Sequence, residues 1–192
     1  MASHLPLART SISLLACTFL MSISGQSLAS DTLNQDVTIA IQDVAQLALV
    51  GTGTQTFILD IALTPGGAPT IAKDIYDRYL QFTSITPANE TRAIQAQLTS
   101  PAPTGLALRL STNASSGTGA VGTSQHTTPG VGGTILSTTP TTMVSGIGTG
   151  YTGSGATDGL LLDYYLSMTE DFDQVHTGTH NLDVTFTLAA TP

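Results

Sequence analysis

Basic residues are scarce in this chain, and their scarcity limits what it can bind. The 192 residues include five lysines and arginines against 13 aspartates and glutamates, which gives a formal net charge of −8. Proteins that bind nucleic acid or an anionic membrane surface need a basic patch. The charge balance therefore excludes both classes of partner.

Cysteine is also nearly absent, and the single one, Cys17, lies in a segment ordered like a secretory signal peptide. Residues 1–10 carry one arginine and no acid, and residues 12–24 are mostly apolar. Ser27 and Ala29 then supply the small residues that precede a signal-peptidase cleavage site. This order predicts a signal peptide over residues 1–29.

Cleavage there leaves one domain, residues 30–192, that is secreted or held at a bacterial cell surface. The apolar run of the signal is too short to span a bilayer comfortably, so we expect no membrane insertion afterwards. The remaining domain has no cysteine, which excludes disulfides and thiolate chemistry. Lipidation of Cys17 is the alternative, because a leucine stands three places before it and an alanine directly before it.

Apolar and polar residues alternate along much of the remaining chain. Seven segments show the pattern: residues 36–42, 56–64, 79–85, 92–100, 104–112, 159–168 and 182–189. Such alternation predicts strands with one buried face, and turns rich in glycine, proline and asparagine separate them. The sequence therefore predicts an all-β fold, an antiparallel β-sandwich of about nine strands. At most one short helix fits, near residues 70–80, where Ile71, Ile75 and Tyr79 recur at every fourth position.

The middle of the chain, residues 105–159, is rich in glycine, threonine and serine, which predicts long surface loops. Within it, residues 133–138 and 142–147 are apolar enough to pair with a sheet. The stretch GIGTGYTG, residues 146–153, has the glycine spacing of a dinucleotide-binding fingerprint, which needs a helix directly after it. The further glycines that follow do not support a helix, and the spacing recurs in residues 117–122. We therefore expect glycines that permit turns beside a strand, and no nucleotide cofactor.

Two groups of side chains are of types that bind metal ions. His176 and His180 stand four positions apart, a spacing that on a helix can hold a metal ion, but a glycine between them predicts a turn. The second group is acidic and lacks the spaced pattern of a calcium loop. It consists of Glu170, Asp171, Asp173 and Asp183. We expect solvated residues at both places, and no metal cofactor.

No catalytic constellation stands out in the sequence. The G-x-S-x-G turn that presents a nucleophilic serine is missing, and the histidines after the signal segment all lie near predicted turns. The sequence therefore predicts that the chain is not an enzyme. The alternative is a hydrolase whose catalytic residues are dispersed among the serines, acids and histidines.

The last third of the chain contains GLLLDYYLSM, residues 159–168, and GTHNLDVTFTLAATP, residues 178–192. These two segments resemble the ending of secreted pilin-type and spore-coat-U-like β-sandwich subunits. This resemblance implies assembly, in which an extended N-terminal segment of one subunit completes the sheet of the next. Residues 31–42 fit such a donor strand, and the alternative is that they form the first strand of their own domain. The chain differs from many pilins in lacking a disulfide.

We therefore expect a structural subunit of a filament, pilus-like or surface assembly whose partners are copies of itself. Val37, Ile39 and Ile41, at alternate positions, would be the interface residues of the donor strand. The alternative is a non-enzymatic adhesin or carbohydrate-binding module that contacts a surface glycan or host partner through residues 113–134 and 145–159. The chain has no tryptophan, so Tyr151 is the one candidate in these segments for stacking on a sugar; its other expected role is to anchor the loop.

Overall fold

The computed structural model describes residues 35, 37–51, 72–169 and 172–191. The chain divides into two units, Met1–Ile39 and Ala40–Pro192. In the first unit, residues 35 and 37–39 are described, and none of them belongs to a strand. The expected signal peptide over residues 1–29 and the alternating segment 56–64 lie outside the described residues.

In the part of the chain that the structure describes, nine strands form an antiparallel sheet, which confirms the all-β prediction. They are β1 Val44–Val50, β2 Ala72–Ile85, β3 Arg92–Leu98, β4 Leu106–Thr112, β5 Thr118–Ser124, β6 Thr134–Ile135, β7 Thr141–Tyr151, β8 Leu160–Met168 and β9 Val184–Ala190. The strand order is β6-β4-β8-β2-β7-β3-β9, with β1 paired to β2 and β5 paired to β7. Two short 3-10 turns, Gly130–Gly132 and Phe172–Gln174, join the strands in the described part of the chain.

The one short helix that the sequence allows near residues 70–80 is not formed by the described residues there, because residues 72–80 belong to β2. The register between β2 and β8 shifts between Ile75 and Arg78, so that two residues of β2 stand opposite one of β8. A bulge of this kind inserts an extra residue and changes which positions face inward. Ile75 and Arg78 pair with the inward-facing residues Tyr164 and Leu162 of β8. The apolar residues of this segment therefore lose the period of two that indicates a strand, and their spacing resembles that of a helix.

The glycine-rich middle of the chain is largely sheet, and the prediction of long surface loops is wrong for β5 and β7. Strand β7 lies between β2 and β3, and its Met143, Val144 and Ile147 are fully buried. Glycine lets β5 and β7 approach closely, since a Cβ on Gly150 would lie 2.8 Å from the carbonyl oxygen of Thr118. Residues 146–151 of GIGTGYTG are the end of β7, and the next element is β8 rather than a helix.

One hydrophobic core joins strands from both halves of the sheet. Several apolar residues of the alternating segments are buried in it, among them Phe82, Ile94, Leu110 and Leu162, whereas the apolar residues of β9 are only partly buried. The chain after β6 bridges two distant strands, because the Leu136 N–H donates to the Leu108 carbonyl in β4 and the Leu98 N–H of β3 donates to the Ser137 carbonyl, both at 2.8 Å. β4 and β3 are far apart in the strand order, so the sheet curves over the core. This arrangement is compatible with the predicted sandwich.

Candidate assembly site at the arm and the open sheet edges

Residues 37–43, which directly precede β1, form no strand, and we call them the arm. Its three aliphatic residues are largely exposed: Val37 at 73%, Ile39 at 79% and Ile41 at 77%. Burying a side chain of this type stabilises a protein by about 1.5–3 kcal/mol. These three positions do not gain this stabilisation in the single chain. The first strand begins at Val44, so the strand that alternation predicts at residues 36–42 is not formed by the described residues there. The arm thus has the side-chain pattern of a strand without being part of one.

Arg92 fastens the end of the arm to the sheet. Its guanidinium donates hydrogen bonds to the carboxylate of Asp43, to the carbonyl of Val44 and, at 3.1 Å, to the hydroxyl of Ser84. Arg92 is 8% exposed and Ser84 1%, so the cation is buried and depends on these partners. The Arg92 contacts therefore fix the position of Asp43 and Val44, where the arm joins β1.

Sequence reasoning missed the role of Arg92, although a signal for it was present. Arg92 has the same strand phase as Ile94, Ala96 and Leu98, whose side chains face the core. An arginine at a core-facing position needs acceptors from other parts of the chain. The sequence alone does not show that Asp43 and Ser84 are those acceptors.

Two edge strands of the described sheet lack the features that usually prevent further pairing. Among the described strands, β1 pairs with β2 alone and β9 with β3 alone, each without a register shift. Edges are commonly protected by charge, proline or a bulge, yet β1 (VAQLALV) and β9 (VTFTLAA) contain no charged residue and no proline. By contrast, β5 carries a register shift and β6 has two residues. Among the described strands, β1 and β9 are therefore edges with one hydrogen-bonded neighbour each, and they lie close to one another.

Tyr151 lies in β7 rather than in a glycine-rich loop. It pairs with Thr83 of β2 and Thr118 of β5, and its side chain is 50% exposed. The neighbouring Thr152 is buried, and its hydroxyl accepts a hydrogen bond from the Phe82 N–H at 3.0 Å. The backbone around Tyr151 is thus held firmly in the sheet while half of its side chain faces solvent.

The structure brings the two histidines of the turn to one open cavity. His176 and His180 are both exposed, as expected, and line a cavity of about 260 Å³ together with Pro103, Leu106 and Val175, among others. Within the described residues, no group of three or more histidine, cysteine or acidic side chains is placed to hold a metal ion.

Of the acidic group predicted as solvated, Asp173 and Asp183 are exposed. Glu170 and Asp171 lie outside the described residues.

A polar cluster lies on the outer side of β4 and β8, where residues 130–133 cover the sheet. Asp163 accepts a hydrogen bond from the Ser111 hydroxyl at 3.4 Å, and its other carboxylate oxygen is buried without a partner. Burial, and then the nearby charge of Asp74, raise the pKa of Asp163 above its ordinary value of 3.8. Arg109 of β4 is half-buried and donates to the Gly133 carbonyl at 2.9 Å. The Arg109 hydrogen bond holds the covering turn on the sheet.

Comparison with protein-family models, curated proteins and solved structures finds no match to this chain. Among the described residues, no helix has the length and apolar character needed to cross a membrane.

Proposed function

We propose that the chain is a structural subunit that joins copies of itself by β-strand addition, the arm of one subunit pairing with a sheet edge of the next. The observation that carries this proposal is the exposure of Val37, Ile39 and Ile41 in a segment with strand alternation and no strand partner. An added strand gains main-chain hydrogen bonds, and its alternate side chains fill apolar positions of the acceptor. The residues of the arm have this character.

The proposed setting is an extracellular filament or surface assembly of a bacterium. The signal-like order of residues 1–29 supports export, and the low content of charged residues, 9%, suits a surface that packs against other copies. The full chain has a net charge of −8, and removal of residues 1–29, which include Arg9 and no acid, makes the subunit more negative still, so the copies repel one another and we expect added salt to favour assembly.

Electron microscopy and sedimentation velocity of the purified protein test the proposal. We expect polymers from the unaltered chain and folded monomers after deletion of residues 31–42. Serine at Val37, Ile39 and Ile41 should have the same effect as the deletion. Serine at Thr38, Ala40 and Gln42, on the opposite face of the same segment, is the matched control and should leave assembly intact. A protein that stays monomeric at high concentration would refute the proposal.

The half-exposed Tyr151 favours a second candidate, a glycan-binding module. An exposed aromatic face stacks on sugar rings, and this tyrosine is fixed by pairing on both sides of β7. A glycan array with the unaltered protein and Tyr151→Ala separates the candidates. Binding that depends on Tyr151 in a protein that forms no polymers would support the module.

A further inference from the structure

We infer that the outer face of β1, β2, β7 and β5 binds an uncharged polysaccharide, with Tyr151 at the centre of the site. This inference rests on the glycan-binding candidate proposed above. It adds the residues of the site, the class of glycan and the direction in which the glycan lies. The site is a sheet face that does not include the arm, so glycan binding there is compatible with assembly.

Four side chains form a row across these strands, which we call the cross-strand row. Tyr151 is the register partner of Thr83 in β2 and of Thr118 in β5, and Thr83 is in turn the register partner of Gln46 in β1. Residues directly opposite one another lie on the same face of a sheet. Neighbouring strands are about 4.8 Å apart, so the row extends about 14 Å across the four strands. The row is therefore long enough for a chain of linked sugars that lies across the strands.

The cross-strand row faces solvent. Thr83 lies between Phe82 and Ser84, which are both buried, so the alternation of the strand turns Thr83 outward. The other three members of the row are exposed, and Tyr151 is 50% exposed. Within the part of the chain that the structure describes, no side chain of the row makes a hydrogen bond to another residue. Two threonine hydroxyls, one amide and the tyrosine hydroxyl are thus available to a ligand.

Outward-facing polar side chains beside the row are instead used within the protein. Gln81, two residues before Thr83, donates to the carbonyl of Gly155 at 2.6 Å and so holds residues 153–158 next to the row. Thr149, two residues before Tyr151, accepts a hydrogen bond from the Thr86 N–H at 3.1 Å. The polar groups that flank the cross-strand row therefore hold the fold together, whereas those of the row itself do not.

The chemistry of the row favours an uncharged glycan. A tyrosine ring has an apolar face for the C–H groups of a sugar, and hydroxyl and amide groups both donate to and accept from sugar hydroxyls. The row contains no charged side chain, and the Asp158 carboxylate in the bordering segment accepts the Gly155 N–H at 2.7 Å. The net charge of −8 repels acidic polysaccharides. An uncharged polysaccharide therefore suits this face better than an acidic one.

An oligosaccharide microarray probed with the full chain tests the assignment. The uncharged probes are hexasaccharides of glucose, mannose, galactose and N-acetylglucosamine, each beside its monosaccharide, and the acidic probe is hexagalacturonate. We expect binding to at least one uncharged hexasaccharide, weaker binding to its monosaccharide and no binding to hexagalacturonate.

Variants of the row then locate the site on the hexasaccharide that binds. Tyr151→Ala should raise the Kd at least about tenfold, which corresponds to about 1.4 kcal/mol, and Tyr151→Phe should retain most of the affinity because it keeps the ring. Thr83→Val and Thr118→Val each remove hydrogen bonds to the sugar and should raise the Kd about two- to tenfold. Tyr76→Ala is the matched control, since Tyr76 is 66% exposed in β2 and lies outside the row. Circular dichroism confirms that each variant is folded.

Four results would overturn the assignment. Binding that depends on Tyr151 but is unchanged in both threonine variants would refute the cross-strand row and leave the glycan-binding candidate standing. An equal loss of binding in Tyr76→Ala would refute the location, and tighter binding to hexagalacturonate would refute the class of glycan. If no uncharged hexasaccharide binds, the inference and the glycan-binding candidate both fail, and the assembly function is unaffected.

Discussion

Replacing Arg92 with alanine tests the anchor of the arm, and its cost follows from the contacts. The substitution leaves the hydroxyl of Ser84, which is 1% exposed, without its arginine donor and frees the carbonyl of Val44. An unsatisfied buried polar group costs about 1–3 kcal/mol. The Asp43 side chain is 56% exposed and regains water, so the ion pair itself adds little. We expect a loss of about 2–4 kcal/mol in the free energy of unfolding, or about 4–16 °C in Tm for a domain of this size.

Urea unfolding followed by far-ultraviolet circular dichroism measures this loss, since the chain has no tryptophan for fluorescence. Asp43→Asn keeps a hydrogen-bond acceptor and should cost under about 1 kcal/mol. Arg109→Ala is the control at a second half-buried arginine, where one hydrogen bond to Gly133 is lost and about 1 kcal/mol is expected. An Arg92→Ala variant within about 0.5 kcal/mol of the unaltered protein would show that the anchor does not hold β1.

Two further substitutions test the polar cluster and the glycine pairing. The raised pKa of Asp163 means that the folded state holds its proton to higher pH than the unfolded state, so stability falls as pH rises above 3.8. Asp163→Asn should therefore raise Tm at pH 7, and its Tm should approach that of the unaltered protein below pH 3.8. A difference in Tm that does not change with pH would refute the raised pKa of Asp163 as its cause. Gly119 has φ +83° and its Cβ would lie 2.5 Å from the Thr149 carbonyl, whereas Gly146 has φ +72° and open space. Gly119→Ala should lower Tm more than Gly146→Ala, and equal losses would show that the close approach of β5 to β7 is unimportant.

Strands with strict alternation were predictable from the sequence. The inward residues of β3 and β8, such as Ile94 and Leu162, are buried as their period of two indicates. In β2 the bulge after Ile75 changes the phase, and a pattern broken in this way is hard to distinguish from a helix. In β7 the glycines weaken the strand signal, because glycine is poor in strands unless another backbone lies close.

The elements of the candidate site were predictable to different degrees. The donor-like pattern of Val37, Ile39 and Ile41 is visible in the sequence, whereas their exposure is a property of the folded chain. The contacts of Arg92 join residues 43, 84 and 92, and no local pattern relates such distant positions. The open edge of β9 depends on the strand order, which alternation does not specify.

Hydrogen exchange of the arm tests the central claim most directly. Backbone amides of residues 37–42 belong to no strand in the single chain, so they should exchange rapidly in the monomer. If the arm is added to a neighbour's sheet, the amides that face that sheet should exchange at least about tenfold more slowly in the assembled protein. Rapid exchange of residues 37–42 in an assembled sample would contradict strand addition by the arm.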